Sequence, residues 1–128
     1  MNPADDTRQP AVDSALLETQ LILNALRPKQ DSADWEAAMR NAGADWDRIA
    51  LRSIVLGLAP LLHQKIEDWG LNLPPRAAAK LGVTYKANAK RNTKIYTQLS
   101  EMLAACRTRG LIPIALKGVH LAADYYSH

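Results

Sequence analysis

The sequence predicts a mainly α protein: a bundle of four or five helices, one of them long, leading into a strand, a tight turn and a further helix. Three observations carry this expectation. Apolar residues recur at helical spacing through most of the chain. Arg76 to Arg109 is a 34-residue run without proline. After Gly110 the texture changes to a short β-branched segment, Leu111 to Leu116, bounded by glycine on one side and Lys117-Gly118 on the other.

The elements follow in order. Residues 1–11 are polar with two prolines and read as a flexible arm. From Asp13 the residues Leu16, Leu17, Leu21, Leu23 and Leu26 keep an apolar helical face, with Asp13 or Ser14 as its N-cap and Pro28 at its end. Two echoes follow, ADWE from Ala33 and ADWD from Ala44. Each sets an Asp before a Trp and an acidic residue, the chemistry of a helix start, and Gly43 between them is a stop signal. That spacing predicts a helical hairpin. Ile49 to Leu56 continues apolar to Gly57, and Pro60 opens another helix that Gly70 closes. Pro74 and Pro75 break the chain before the long helix, whose weak point is Gly82. Residues 12–109 thus form a helical region and 110–128 the beginning of an α/β unit.

Composition limits the function. With 128 residues, 48% of them hydrophobic and 23% charged, the chain fits one globular domain or part of one. No apolar run approaches the ~20 residues a membrane span needs, and the N-terminus has no signal-peptide pattern. One cysteine, Cys106, suits a reducing compartment, so the expected location is the cytoplasm without membrane attachment. Charge is unevenly spread. Before residue 76 there are 7 basic and 11 acidic side chains, and from residue 76 on there are 9 and 2. The basic half suits a phosphate-bearing ligand or an acidic surface. Lys86, Lys90 and Lys94 form a stripe, but no exposed aromatics interleave with it, so nucleic acid is not the expected partner.

Lys117-Gly118 is the sharpest local feature. A glycine between a buried strand and a helix start lets a ligand come close to the backbone. The free N–H groups there attract phosphate, and Lys117 adds a point charge. Read alone, the same dipeptide is also an ordinary tight turn with its lysine in water. Asn88 and Asn92, four apart, fit either ligand contact or capping of a neighbouring segment. His120 and Asp124 have metal-ligand spacing without further ligands nearby, so no metal site is expected. Trp35, Trp46 and Trp69 read as packing anchors.

The segment from Arg107 to Tyr126 resembles the core motif of the uncharacterised nucleotidyltransferase family, within the polymerase-β-like superfamily. Gly110, Ile112, Pro113, Leu116, Lys117, Gly118, Leu121 and Tyr125 or Tyr126 fall in register with it. Upstream, Asp45-Trp46, Pro60-Leu61-Leu62-His63 and Tyr85, Asn88 and Asn92 agree, so the resemblance covers roughly residues 12–126. It implies metal-dependent transfer of a nucleotidyl group, with Mg2+ and a nucleoside triphosphate held at the glycine turn. By that resemblance Lys117 and Gly118 bind nucleotide, with Asn92, Lys86 and Lys90 as outer contacts. The family follows this turn with an Arg and a D-x-D pair that holds the metal ions. Past Glu101 the only acidic residue here is Asp124. The expectation is therefore an incomplete nucleotidyltransferase core, with no catalytic or metal-binding residue and no cofactor of its own. The competing expectation is a non-enzymatic helical module that self-associates or takes a partner through the Leu111–Leu116 strand.

Overall fold

A computed structural model describes residues 9–114 and Gly118, with side chains from Asp13 onward. The protein is mainly helical, with five helices in the described residues: α1 (Gln9–Ala25), α2 (Ser32–Asn41), α3 (Trp46–Val55), α4 (Ala59–Trp69) and α5 (Pro75–Thr108). Two compact units divide the chain, residues 1–89 and residues 90–128, and α5 contributes to both. No helix among the described residues is long and apolar enough to cross a membrane.

In the first unit α1 is the central element and packs against α2, α3 and α4. It begins earlier than the sequence suggests. Gln9, Pro10 and Ala11 are already helical. Residues 1–8, the rest of the expected arm, lie outside the described residues. Neither Asp13 nor Ser14 is then a cap. Ser14 instead donates from Oγ to Glu18 Oε1 at 3.3 Å, one turn on.

Of the two Asp-Trp echoes, only the second holds its cap. Asp45 accepts a hydrogen bond from the Asp47 N–H at 3.0 Å. In the first echo Asp34 lies inside the opening turn of α2, and Asp31 does the capping, accepting from the Ala33 N–H at 2.7 Å. The helices α2 and α3 do not form a self-contained hairpin, since each packs on α1.

Four helix ends share one device. After α2, α3, α4 and α5 the chain turns on Gly43, Gly57, Gly70 and Gly110, with φ of +61°, +72°, +66° and +69°. This left-handed conformation strains any residue with a Cβ, so glycine recurs where the sequence marks a stop. Gly70, for example, donates to the Glu67 carbonyl at 3.0 Å and Leu71 to that of Ile66 at 3.1 Å.

The core joins Leu21, Ile22 and Ala25 of α1, Trp35 and Met39 of α2, Ile49 and Ala50 of α3, Ala59, Leu62 and Ile66 of α4, and Ala77 and Leu81 of α5. Trp35 is its largest fully buried side chain. Its ring meets Trp46 edge-on at 5.4 Å and Trp69 at 5.5 Å. The three tryptophans thus anchor α2, α3 and the end of α4. At the edge of this core, Arg48 pairs with the largely buried Glu18 at 2.6 Å, and Arg52 donates from Nε to Thr19 Oγ1 at 3.0 Å. These contacts fix α3 against α1.

The long helix is continuous through Gly82. A Cβ at that position would meet nothing within 4 Å, so the glycine relieves no clash. Beyond it, Leu111 to Ile114 carry no regular structure and are exposed. The expected strand, turn and helix core is not seen among the described residues, and Ala115 to Lys117 lie outside them. A strand needs a neighbour to satisfy its backbone groups, and no described element offers an edge.

Candidate functional site

Sequence reasoning points to the end of the chain, where the helix that stops at Gly110 leads to Lys117-Gly118. Gly110 turns the chain with the Leu111 N–H donating to the Cys106 carbonyl at 2.9 Å. Gly118 is helical and exposed, and a Cβ built on it would meet nothing within 4 Å. Its backbone is therefore open to close approach. Lys117 lies outside the described residues, as do His120 and Asp124.

Asn92, Lys86 and Lys90 are all exposed on α5. At 100° per residue, Asn92 lies about 160° round the helix from Lys90 and about 120° from Lys86. One compact ligand cannot touch Asn92 and Lys90 together. Asn92 shares its side with Leu99 and Cys106, which are half-buried, whereas the lysines point the opposite way. The outer contacts implied by resemblance thus separate into two faces of one helix.

A polar chain joins α4 to α5 within the first unit; the motifs named His63 and Tyr85 but not the link between them. His63 packs its ring on Tyr85 at 4.6 Å. The Tyr85 hydroxyl donates to Gln64 Oε1 at 3.1 Å, and Gln64 Nε2 donates to Asp68 Oδ1 at 2.9 Å. Gln64 and Asp68 are four apart on α4, which is the available sequence signal, but their link to Tyr85 is tertiary. The arrangement orients Tyr85.

A second charged cluster sets the start of α5. Lys80 Nζ lies 3.6 Å from Asp47 Oδ1 and Arg76 Nε lies 3.9 Å from Oδ2. Asp47 Oδ1 is buried without a hydrogen bond. Lys80 stands just beyond hydrogen-bond reach and compensates its charge. Basic residues at a helix start oppose the helix dipole, and Asp47 offsets that unfavourable placement.

An open cavity of ≈ 110 Å³ lies between α2 and α3, lined by Glu36, Met39, Arg40, Ala44 and Trp46. It is well below the roughly 300 Å³ at which small-molecule pockets begin, so it does not hold a nucleotide. Among the described residues no group of three or more His, Cys, Asp or Glu side chains is placed to hold a metal ion. These residues do not fit a Mg2+ clamp.

The family model described as "Uncharacterised nucleotidyltransferase" matches residues 42–128. The chain belongs to that nucleotidyltransferase family. The match takes in α3, α4, α5 and residues Lys117 and Gly118, but neither α1 nor α2, so it begins well after the residue 12 that the motifs suggest. No curated protein and no solved structure matches the chain.

Proposed function

We propose that this chain supplies the helical scaffold and the phosphate-facing glycine turn of a nucleotidyltransferase-like protein. The observation that carries the reading is the family match, whose bounds, residues 42–128, take in α3 and Gly118. In this reading the backbone N–H groups at Gly118 and the Lys117 ammonium meet the phosphates of a nucleoside triphosphate. Openness around Gly118 supports it, since a ligand oxygen can approach where a side chain would otherwise stand. Asn92 is the α5 residue assigned to the nucleotide side. Lys86 and Lys90 act on the ligand only through their long-range field, because they face the other way. The Leu111–Leu116 segment pairs as a strand once neighbouring strands are present.

Transfer itself needs carboxylates that hold metal ions in line with the reacting phosphate. The described residues present no such set. In this reading the chain alone binds Mg2+-ATP weakly, in the cytoplasm, and does not turn it over. Amide chemical shifts of the isotopically labelled chain, followed during titration with Mg2+-ATP, test this. The expected result is movement concentrated at Gly118 and its neighbours, with a dissociation constant on the order of 1 mM, about −4 kcal/mol. Lys117→Ala removes the movement without altering the rest of the spectrum. Unmoved amides at Gly118 up to saturating ATP would reject this reading and leave the non-enzymatic interaction module, which the exposed Ile112 and Ile114 favour.

A further inference from the structure

The first helix is apolar on two sides. Its inner side puts Leu21, Ile22 and Ala25 into the core, with Glu18 buried beside them. At 100° per residue, Leu16, Leu17, Gln20, Leu23 and Asn24 share an arc of about 120° on the other side. There Leu16 is 56%, Leu17 38% and Leu23 51% exposed. A helix that is apolar all round is normally buried, so an open apolar side marks a face that packs on something else. Thr19 bounds this face toward α3, where Arg52 already engages it at 3.0 Å.

The charges on α1 say what fits there. From residue 13 to residue 27 the charged side chains are Asp13, Glu18 and Arg27. Glu18 is on the inner side and pairs with Arg48. Asp13 and Arg27 close the two ends of the outer face, and both are exposed. Arg27 stands in the turn that continues the helix, its N–H donating to the Asn24 carbonyl at 3.2 Å. Each lies seven residues from Gln20, about 10 Å along the axis. The face is therefore self-complementary. Turned head to tail about a twofold axis through Gln20, it sets Asp13 against Arg27 of a second copy at both ends. Leu17 then meets Leu23, and Leu16 meets Asn24. Parallel pairing would instead set Asp13 on Asp13 and Arg27 on Arg27, which repel.

We infer that the outer face of α1 is the contact surface for a second copy of this chain, paired antiparallel about Gln20. The stripe from Asp13 to Arg27 is about 21 Å long, so one helix pair buries well under the ~800 Å² per partner of a standard interface. The dimer is accordingly weak and concentration-dependent, with a dissociation constant on the order of 100 μM. Leucine contacts supply the affinity, and the end charges set the direction. A strongly acidic or basic partner is the poorer fit, because the face carries one charge of each sign. The surface lies in the first unit and outside residues 42–128, which the family match covers. It does not depend on nucleotide binding at Gly118, so either assignment can fail alone.

Sedimentation equilibrium of the full chain, from about 10 μM to about 1 mM, tests the surface. The expected result is monomer and dimer in exchange, with no larger species, because a twofold contact closes on itself. Leu23→Gln changes an exposed position, keeps the helical circular dichroism and weakens association roughly tenfold. Asp13→Arg and Arg27→Asp each weaken self-association about fivefold, since like charges then meet at both ends. Mixed in equal amounts, these two variants pair with each other about as tightly as the parent chain does, because opposite charges meet again. A chain that stays monomeric at about 1 mM would overturn the assignment and give the face to another occupant. A dimer that Leu23→Gln leaves intact would also overturn it, handing association to a surface such as the exposed Ile112 and Ile114. So would charge variants that fail to recover on mixing.

Discussion

Trp35 shows how much of this fold rests on single side chains. Its indole is 1% exposed, meets two other tryptophans, and donates from Nε1 to the Leu21 carbonyl of α1 at 2.8 Å. Replacement by Ala removes a large buried ring and leaves a cavity, so Trp35→Ala should lower unfolding free energy by about 3–5 kcal/mol in urea denaturation. Trp35→Phe keeps most of the ring and loses the hydrogen bond, for a loss nearer about 1–2 kcal/mol. Equal losses for the two variants would mean that the bond to Leu21, not the ring, holds α2 in place. The anchoring role of the tryptophans was legible from sequence, because large aromatics in a chain with no phenylalanine have few other places to go. The links made by Gln64 and Tyr85 were not, since hydrogen bonds between residues 21 apart leave no local pattern.

Among the elements, stops were easier to read than starts. Gly43, Gly57, Gly70 and Gly110 end helices because a left-handed residue follows each, and only glycine adopts it without strain. Starts depend on which side chain reaches a free N–H. Asp31 and Asp34 differ by three residues, and the extended backbone of Asp31 (φ −81°, ψ 137°) makes it the cap. Composition cannot report that angle. Gly82 is the opposite case, a helix breaker by propensity inside an unbroken helix. With space beside it and ordinary helical φ, Gly82→Ala should stabilise the protein by about 0.5–1 kcal/mol in the same denaturation assay. A destabilising result would show that the long helix bends at Gly82 in solution. The segment Leu111–Leu116 was expected as a strand on its β-branched composition. Its described part, Leu111–Ile114, is irregular because a strand is a property of pairs, and composition supplies only one member.

At the scale of the whole molecule, the family relationship was readable from the spacing of Gly110, Pro113, Lys117 and Gly118, and the family match includes those residues. The site was less readable. Numbering places Lys86, Lys90 and Asn92 within seven residues of one another, yet the helix turns the asparagine away from the lysines. In the reading proposed above, the basic half of the chain meets phosphate at Lys117 and Gly118. Proximity of a metal-triphosphate to Gly118 is the claim on which the nucleotide assignment stands. Replacing Mg2+ by Mn2+ in the ATP complex and recording paramagnetic broadening of amide signals measures that proximity directly, with Mn2+ alone as the reference. The account predicts that Gly118 broadens first, and only when ATP is present. Broadening that starts around Met39 and Arg40, or that is the same without ATP, would contradict it.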